Sequence, residues 1–388
     1  MRVLYILSGT TIYGGATKSF LTLVEFLKNK GVELGVVCPD ERGVWSVLQK
    51  KNINTFKVNY RFSTLPSIKN YKDLIKFLPR LILRKVINQK ARKELYNIVK
   101  AFSPDIVHTN SSVIKIGYDV AYQLNIPHIF HIREYGDIDF GLNTSYISNI
   151  IKQGKSYSIT ITKSIARHKD IYNSPYNHVI YNGIVSKEKI RMREEKDDFF
   201  LFAGRIEPTK GLSDLIDAYA KYIELSKKRY KLLIAGGIQN QYREYYEEIL
   251  NKLKTYDIEK YVEWIGERND IEEYMYRATA TIVPSKHEGF GRVMVEAMSN
   301  GSLVIARNSG GSKEQFDNGR EYKGEEIGLS FNNNEELTNH LLQVSDKNQN
   351  NFNHTISLSQ DTILLLYSEN SYGSKVYNLY KIILDNYN

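Results

Sequence analysis

Apolar residues along the chain keep two rhythms. Short apolar-rich stretches at residues 3–7, 34–38, 55–58, 105–109, 129–132, 199–203, 231–235, 262–266, 279–283 and 302–306 have the length of strands, and that at 279–283, apolar and rich in β-formers, reads as a buried parallel strand. Between them, apolar positions recur every three or four residues, as on a helix with one covered face. Residues 17–30 place Phe20, Leu23, Val24 and Leu27 on one side, and Leu212, Leu215, Ile216 and Tyr219 form a second stripe. Val293, Met294, Ala297 and Met298 form a third, and Val376, Leu379, Tyr380 and Ile383 mark a terminal helix at 372–384. Residues 157–162 and 178–181 close the first series of strands, and the Asn-rich stretches 332–334 and 348–353 read as loops. Strand and helix in alternation predict parallel, doubly wound α/β sheets.

A chain of 388 residues exceeds one ordinary core and predicts two. Residues 187–198, dense in charge and free of aromatic residues, suit a linker. The first domain is therefore expected at 1–184 and the second at 185–366. Hydrophobic residues at 42% and charged residues at 25% fit a soluble globular protein. The single cysteine, Cys38, excludes an internal disulfide and any multi-cysteine metal site, and points to a reducing, cytoplasmic setting. Arg2 and the apolar run after it fall short of a signal peptide or membrane span.

Charge changes the picture in one place. Residues 69–100 hold ten Lys or Arg against Asp73 and Glu94, a net +8 out of +9 for the whole chain. Leu74, Phe77, Leu78, Leu81, Ile82, Val86 and Ile87 interleave with the cations, and Pro79 is expected to kink or divide the helix. A basic amphipathic helix suits an anionic membrane surface, and equally a solvated helix packed on its own domain. Nucleic acid is not expected, because no binding motif accompanies the charge.

Candidate chemistry gathers at strand ends. After the strand at 279–283 the chain reads P-S-K-H-E-G-F-G-R-V-M-V-E-A-M. Gly289 and Gly291 open a helix there, whose free N–H groups and positive dipole end suit an anion. Glu288 and Glu296 lie eight residues apart, about 12 Å if fully helical, enough to reach opposite ends of a sugar nucleotide. Gly310 and Gly311 offer a second anion nest. After the strand at 199–203, G-R-I-E-P-T-K-G carries Arg205 and Lys210, a planar fork and a point charge able to clamp a diphosphate. Gly14 and Gly15 let backbone approach a ligand at the start of the first helix. His131 stands at the end of a strand in H-I-F-H-I-R-E, with Arg133 and Glu134 beside it. Each residue taken singly is as well explained by a surface charge, a plain turn or a core histidine.

Together, E-G-F-G-R-V-M-V-E-A-M, N-G-S-L-V-I-A and S-G-G-S-K-E resemble the E-x7-E signature region of the retaining family 4 glycosyltransferases, which have the GT-B fold. G-R-I-E-P-T-K-G at 204–211 resembles the family's Gly-Arg…Lys-Gly element, and Y-N-G-I at 181–184 resembles its step into the second domain. The resemblance implies two Rossmann-like domains facing across a cleft, with a last helix at about 367–388 packing back on the first. It implies retaining transfer from a nucleoside diphosphate sugar, UDP being the expected carrier, to a glycan or lipid-linked acceptor in surface polysaccharide or lipopolysaccharide assembly. Arg205 and Lys210 would bind the pyrophosphate, Glu296 the ribose hydroxyls, and Glu288, Gly289, Phe290 and Gly291 the transferred sugar and its phosphates. His131, Gly14 and Gly15 would face the donor from the first domain, and residues 69–100 would meet the membrane that carries a lipid-linked acceptor. No cofactor and no metal are expected, since no Asp-x-Asp motif occupies a matching loop. Glu288 is not expected to be a nucleophile, the leaving phosphate oxygen serving as base. A sugar-nucleotide epimerase of the same fold and a non-catalytic sugar-nucleotide-binding subunit are the alternatives.

Overall fold

The structure of the chain, a computed structural model, describes residues 1–12, 14–63, 76–140, 145–192, 195–346 and 349–387. It divides into two compact units, Met1–Gly183 with Glu369–Asn388, and Ile184–Ser368. In the first, the described strands are β1 (Arg2–Ile6), β2 (Glu33–Cys38), β3 (Asn54–Lys57), β4 (Ile106–Thr109), β5 (His128–Ile132), β6 (Tyr157–Thr160) and β7 (Asn177–Val179). All pair in parallel, in the order β3-β2-β1-β4-β5-β6-β7. Unbroken apolar sequence becomes strand here because helices cover both faces, leaving Val3, Leu4, Tyr5 and Ile6 fully buried. The helix Gly15–Asn29 buries Phe20, Leu23, Val24 and Leu27, each contributing about 1.5–3 kcal/mol. They share one core with Tyr372, Val376, Leu379, Tyr380 and Ile383 of the helix Glu369–Tyr387.

The second unit pairs β8 (Asp197–Ala203), β9 (Lys231–Ala235), β10 (Val262–Gly266), β11 (Ala278–Val283), β12 (Leu303–Arg307) and β13 (Leu329–Phe331), also in parallel, in the order β10-β9-β8-β11-β12-β13. Each sheet reverses its direction of build once, between β1 and β4 and between β8 and β11. Loops leaving the carboxyl ends of strands on either side of such a reversal run to opposite faces, and the space between them is where ligands bind in open α/β sheets.

Several expectations are corrected. Pro79 neither kinks nor divides its helix, which runs unbroken over Phe77–Phe102; it sits in the first turn, where its missing N–H has no carbonyl to serve. The charged residues after Asn318 continue the helix Gly310–Lys323, on which no expectation was placed, held by Arg320 ion pairs to Asp317 and Glu326. Asn334 and Asn353 open the helices Asn334–Asp346 and Asn353–Tyr367, because Asn serves a helix start as readily as a turn. Residues 69–75 and 348 lie outside the described residues. No helix among the described residues is long and apolar enough to cross a membrane.

Candidate active site

In the second unit the loops after β8 and β11 meet across the sheet's reversal. Lys210 ends a 3-10 turn, Pro208–Lys210, and the next residue, Gly211, has φ +72°. A side chain at Gly211 would meet the Pro284 carbonyl oxygen at 2.0 Å, so only glycine lets the two loops touch. The Lys286 N–H closes the same contact by donating to the Thr209 carbonyl at 2.9 Å. Lys210 Nζ then lies 2.9 Å from Glu288 Oε2, both side chains about one-fifth exposed. Residues 78 apart in sequence thus form one ion pair.

The turn after Glu288 is fastened from below. Gly291 adopts φ +87° and leads into the helix Arg292–Ser299. Gln315 Nε2 donates to the carbonyls of Phe290 at 2.5 Å and Gly291 at 3.2 Å. The Gly311 N–H donates to the Glu288 carbonyl at 2.6 Å, so this group serves the turn and not the anion nest expected of it. Phe290 is 4% exposed and sets its ring against Tyr367. Only half the interval from Glu288 to Glu296 is helical, and Glu296 pairs with Arg292 at 3.0 Å. Arg292 and Gln315 escaped the sequence reading; the i, i+4 spacing to Glu296 signals the first, and nothing in one sequence signals the second. Arg205 is the most open of these cations, 59% exposed, with Nη2 3.1 Å from Glu207. Glu207 is itself buried and accepts from Thr209 Oγ1 at 3.0 Å.

In the first unit, the helix Gly15–Asn29 starts with Gly14 as an extended cap, no side chain caps its first N–H groups, and its first turn carries no acidic residue. That start is suited to an anion. His131, next to last in β5, is fully buried, its Nδ1 3.1 Å from His108 Nε2 and 3.4 Å from Arg133 Nη2, its Nε2 without a hydrogen-bond partner among the described residues. Burial first, and the Arg133 charge second, hold the His131 and His108 imidazoles well below their ordinary range, so both are neutral. Arg133 is 8% exposed and also donates to Asn110 Oδ1 at 2.9 Å, Asn182 Oδ1 at 2.6 Å and the Tyr372 hydroxyl at 3.1 Å. Glu134 Oε1 accepts from Ser111 Oγ, Ser112 Oγ and the Ser112 N–H, at 2.6–2.8 Å. These two residues brace the loops after β4 and β5; His108, Asn110 and Asn182 are the partners that sequence reading missed.

Chemically, the second unit offers cations and helix-start N–H groups to a diphosphate, with carboxylates close by for hydroxyls. Comparison with known proteins gives this arrangement its kinship. The family model for Glycosyltransferase Family 4 matches residues 13–187, and that for Glycosyl transferases group 1 matches residues 186–357. An uncharacterized glycosyltransferase of Methanocaldococcus jannaschii is 28% identical over 224 residues, 56% of this chain and 60% of that protein. The UDP-Gal:alpha-D-GlcNAc-diphosphoundecaprenol alpha-1,3-galactosyltransferase of Escherichia coli is 23% identical over 366 residues, 86% of each. The crystal structure of Anabaena Alr3699/HepE in complex with UDP and glucose superposes with a TM-score of 0.75 at 17% identity, covering 98% of this chain and all of that one. The two family matches follow one another along the chain and the backbone is that of GT-B proteins: the chain belongs to the family 4, group 1 glycosyltransferases.

Proposed function

We propose that the chain transfers a sugar from a nucleoside diphosphate sugar, UDP-linked, to a glycan or lipid-linked acceptor in bacterial surface polysaccharide or lipopolysaccharide assembly, with retention at the anomeric carbon. The observation that carries the reading is the Lys210–Glu288 pair at the reversal between β8 and β11, 2.9 Å across. A departing nucleoside diphosphate develops negative charge, and in this reading Lys210, Arg205 and the helix start at Gly291 meet it without a metal. Glu288 accepts hydroxyls of the transferred sugar, Glu296 those of the ribose, and the leaving phosphate oxygen takes the acceptor's proton. The name of the Escherichia coli relative, which carries UDP-Gal and a diphosphoundecaprenol acceptor, supports these donor and acceptor classes.

A thermal-shift panel of UDP, GDP, ADP and dTDP, each with and without magnesium, tests this. A ligand at 100 times its Kd stabilises the folded state by about 2.7 kcal/mol, roughly 5–10 °C for a unit of this size. UDP is expected to give that shift, unchanged by magnesium. No shift with any nucleotide overturns the donor assignment.

The same reading places the helix Phe77–Phe102 on an anionic membrane surface. Leu78, Ile82, Leu83 and Val86 are 57–65% exposed on its first turns, amid Lys76, Arg80 and Lys85. Each cation near an anionic leaflet adds about 1 kcal/mol. The protein is expected to float with phosphatidylglycerol vesicles and not with phosphatidylcholine ones, and Ile82→Glu with Leu83→Glu to stop it. Equal recovery with both vesicle types, or none, removes the membrane from the proposal.

A further inference from the structure

A run of five buried side chains crosses the carboxyl half of the first sheet and ends at His131. The hydroxyls of Tyr5 and Tyr380 are hydrogen-bonded to each other. The Tyr380 hydroxyl lies 2.6 Å from His108 Nδ1, and His108 Nε2 lies 3.1 Å from His131 Nδ1. Arg133 Nη2 approaches that same nitrogen at 3.4 Å. Tyr5, Tyr380, His108 and His131 are fully buried and Arg133 nearly so. We propose that this run locks His131 in the tautomer that carries its proton on Nε2, making it a one-way hydrogen-bond donor, with His108, Tyr380 and Arg133 as its positioning residues.

The Arg133 end of the run sets its direction. A guanidinium has five donors, no acceptor and no neutral form in a protein. The Arg133 N–H directed at His131 Nδ1 therefore requires a lone pair there, and a neutral imidazole with its lone pair on Nδ1 holds its proton on Nε2. His108 Nε2–H then donates to the same nitrogen, which leaves His108 Nδ1 as an acceptor for the Tyr380 O–H. Tyr380 in turn accepts from the Tyr5 O–H. Every proton in the run then has an acceptor except the one on His131 Nε2. Reversing it points a His131 N–H at the Arg133 N–H. It also moves the one unmatched proton from His131 Nε2 to the Tyr5 hydroxyl, whose hydrogen-bond partner among the described residues is Tyr380 and whose side chain is fully buried. The neutral state of both imidazoles, already derived from their burial, keeps a second proton from undoing the arrangement.

His131 Nε2–H is then the buried donor still to be met. Its partner must be an oxygen acceptor; on the transfer reading above, on which this step rests, that is a hydroxyl or phosphate oxygen of the substrate. The same tautomer removes His131 as a general base through Nε2, since a base needs its lone pair there. Tyr380 belongs to the helix Glu369–Tyr387, so the last helix of the chain takes part in setting the chemistry at β5.

Long-range proton–nitrogen correlation on histidine-labelled full-length protein, assigned with His131→Asn, reads the tautomer directly. The expected spectrum shows His131 with Nε2 protonated and Nδ1 bare, unmoved from about pH 6 to about pH 8, the range in which an ordinary histidine titrates. A protonated Nδ1, or an imidazolium at neutral pH, overturns the proposal. Tyr380→Phe removes the donor to His108 Nδ1 and is expected to mix the His131 tautomers. It should lower kcat roughly 10- to 100-fold, the usual effect of removing an orienting partner, with KM for the donor changed less than about twofold. Tyr5→Phe leaves the Tyr380 O–H in place, so the His131 pattern should stay; a pattern disturbed as much as in Tyr380→Phe means the run points the other way and overturns the proposal. The locked tautomer in a protein without transfer activity sinks the function reading alone, whereas transfer by a protein with Nδ1 protonated sinks this inference alone.

Discussion

Lys210→Ala is expected to lower kcat for sugar transfer by a factor on the order of 10²–10³, about 2.7–4 kcal/mol of lost transition-state stabilisation. The size follows from where the ammonium sits. It is about one-fifth exposed, at the reversal between β8 and β11, beside the helix start at Gly291. A charge fixed in a partly dehydrated place meets developing negative charge without reorganising, and water admitted in its stead must reorganise. The variant also leaves Glu288 without its partner, so some loss of stability accompanies the loss of rate. The double variant Lys210→Met with Glu288→Gln separates the two effects. With both charges gone the unpaired carboxylate is gone as well, so the melting temperature should recover toward that of the parent while kcat stays low. Recovery of turnover together with stability would mean that the pair only props the two loops, and that the diphosphate is held elsewhere. Arg205→Ala should spare stability more, because its guanidinium is 59% exposed and its ion pair among the described residues is to nearby Glu207.

All the described strands but the short β13 were legible as apolar-rich runs, and their bounds in the structure differ by at most two residues. Helices with one covered face were legible in the same way, Phe20, Leu23, Val24 and Leu27 being the plainest example. What stayed hidden is whatever depends on two distant residues at once. No spacing in the sequence announces that Lys210 meets Glu288, or that Gln315 holds the carbonyls of Phe290 and Gly291. His108 lies inside an apolar run and reads there as core; it becomes informative only when Tyr380, 272 residues later, is seen at its other nitrogen. Arg133 was noticed as a neighbour of His131, yet its buried contacts to Asn110, Asn182 and Tyr372 come from three separate stretches of chain. The charged end of the helix Gly310–Lys323 gave no apolar stripe to read, and Asn318 and Gly319 are nonetheless buried there.

Gly211→Ala and Gly324→Ala are expected to part widely, although both glycines belong to the second unit and both have left-handed backbone, at φ +72° and +74°. A non-glycine residue in that conformation costs about 1–2 kcal/mol through its own backbone, and this part is common to the two. At Gly324 a Cβ meets nothing within 4 Å, so the conformational term is the whole effect. At Gly211 the Cβ falls 2.0 Å from the Pro284 carbonyl oxygen, and a backbone atom at the end of a buried strand has no rotamer to escape into. Overpacking of that kind adds about 1–3 kcal/mol. With roughly 2–4 °C per kcal/mol for a unit of this size, the melting temperature should fall by about 4 °C for Gly324→Ala and on the order of 10 °C for Gly211→Ala. The two should also differ in function. Relief of the Gly211 clash must push the loop after β8 away from the loop after β11, which draws Lys210 from Glu288 and splits the proposed diphosphate grip. The UDP-induced rise in melting temperature should therefore persist in Gly324→Ala and be lost in Gly211→Ala. If Gly211→Ala keeps that rise while it loses stability, then the contact of the two loops serves folding and not the binding of the nucleotide.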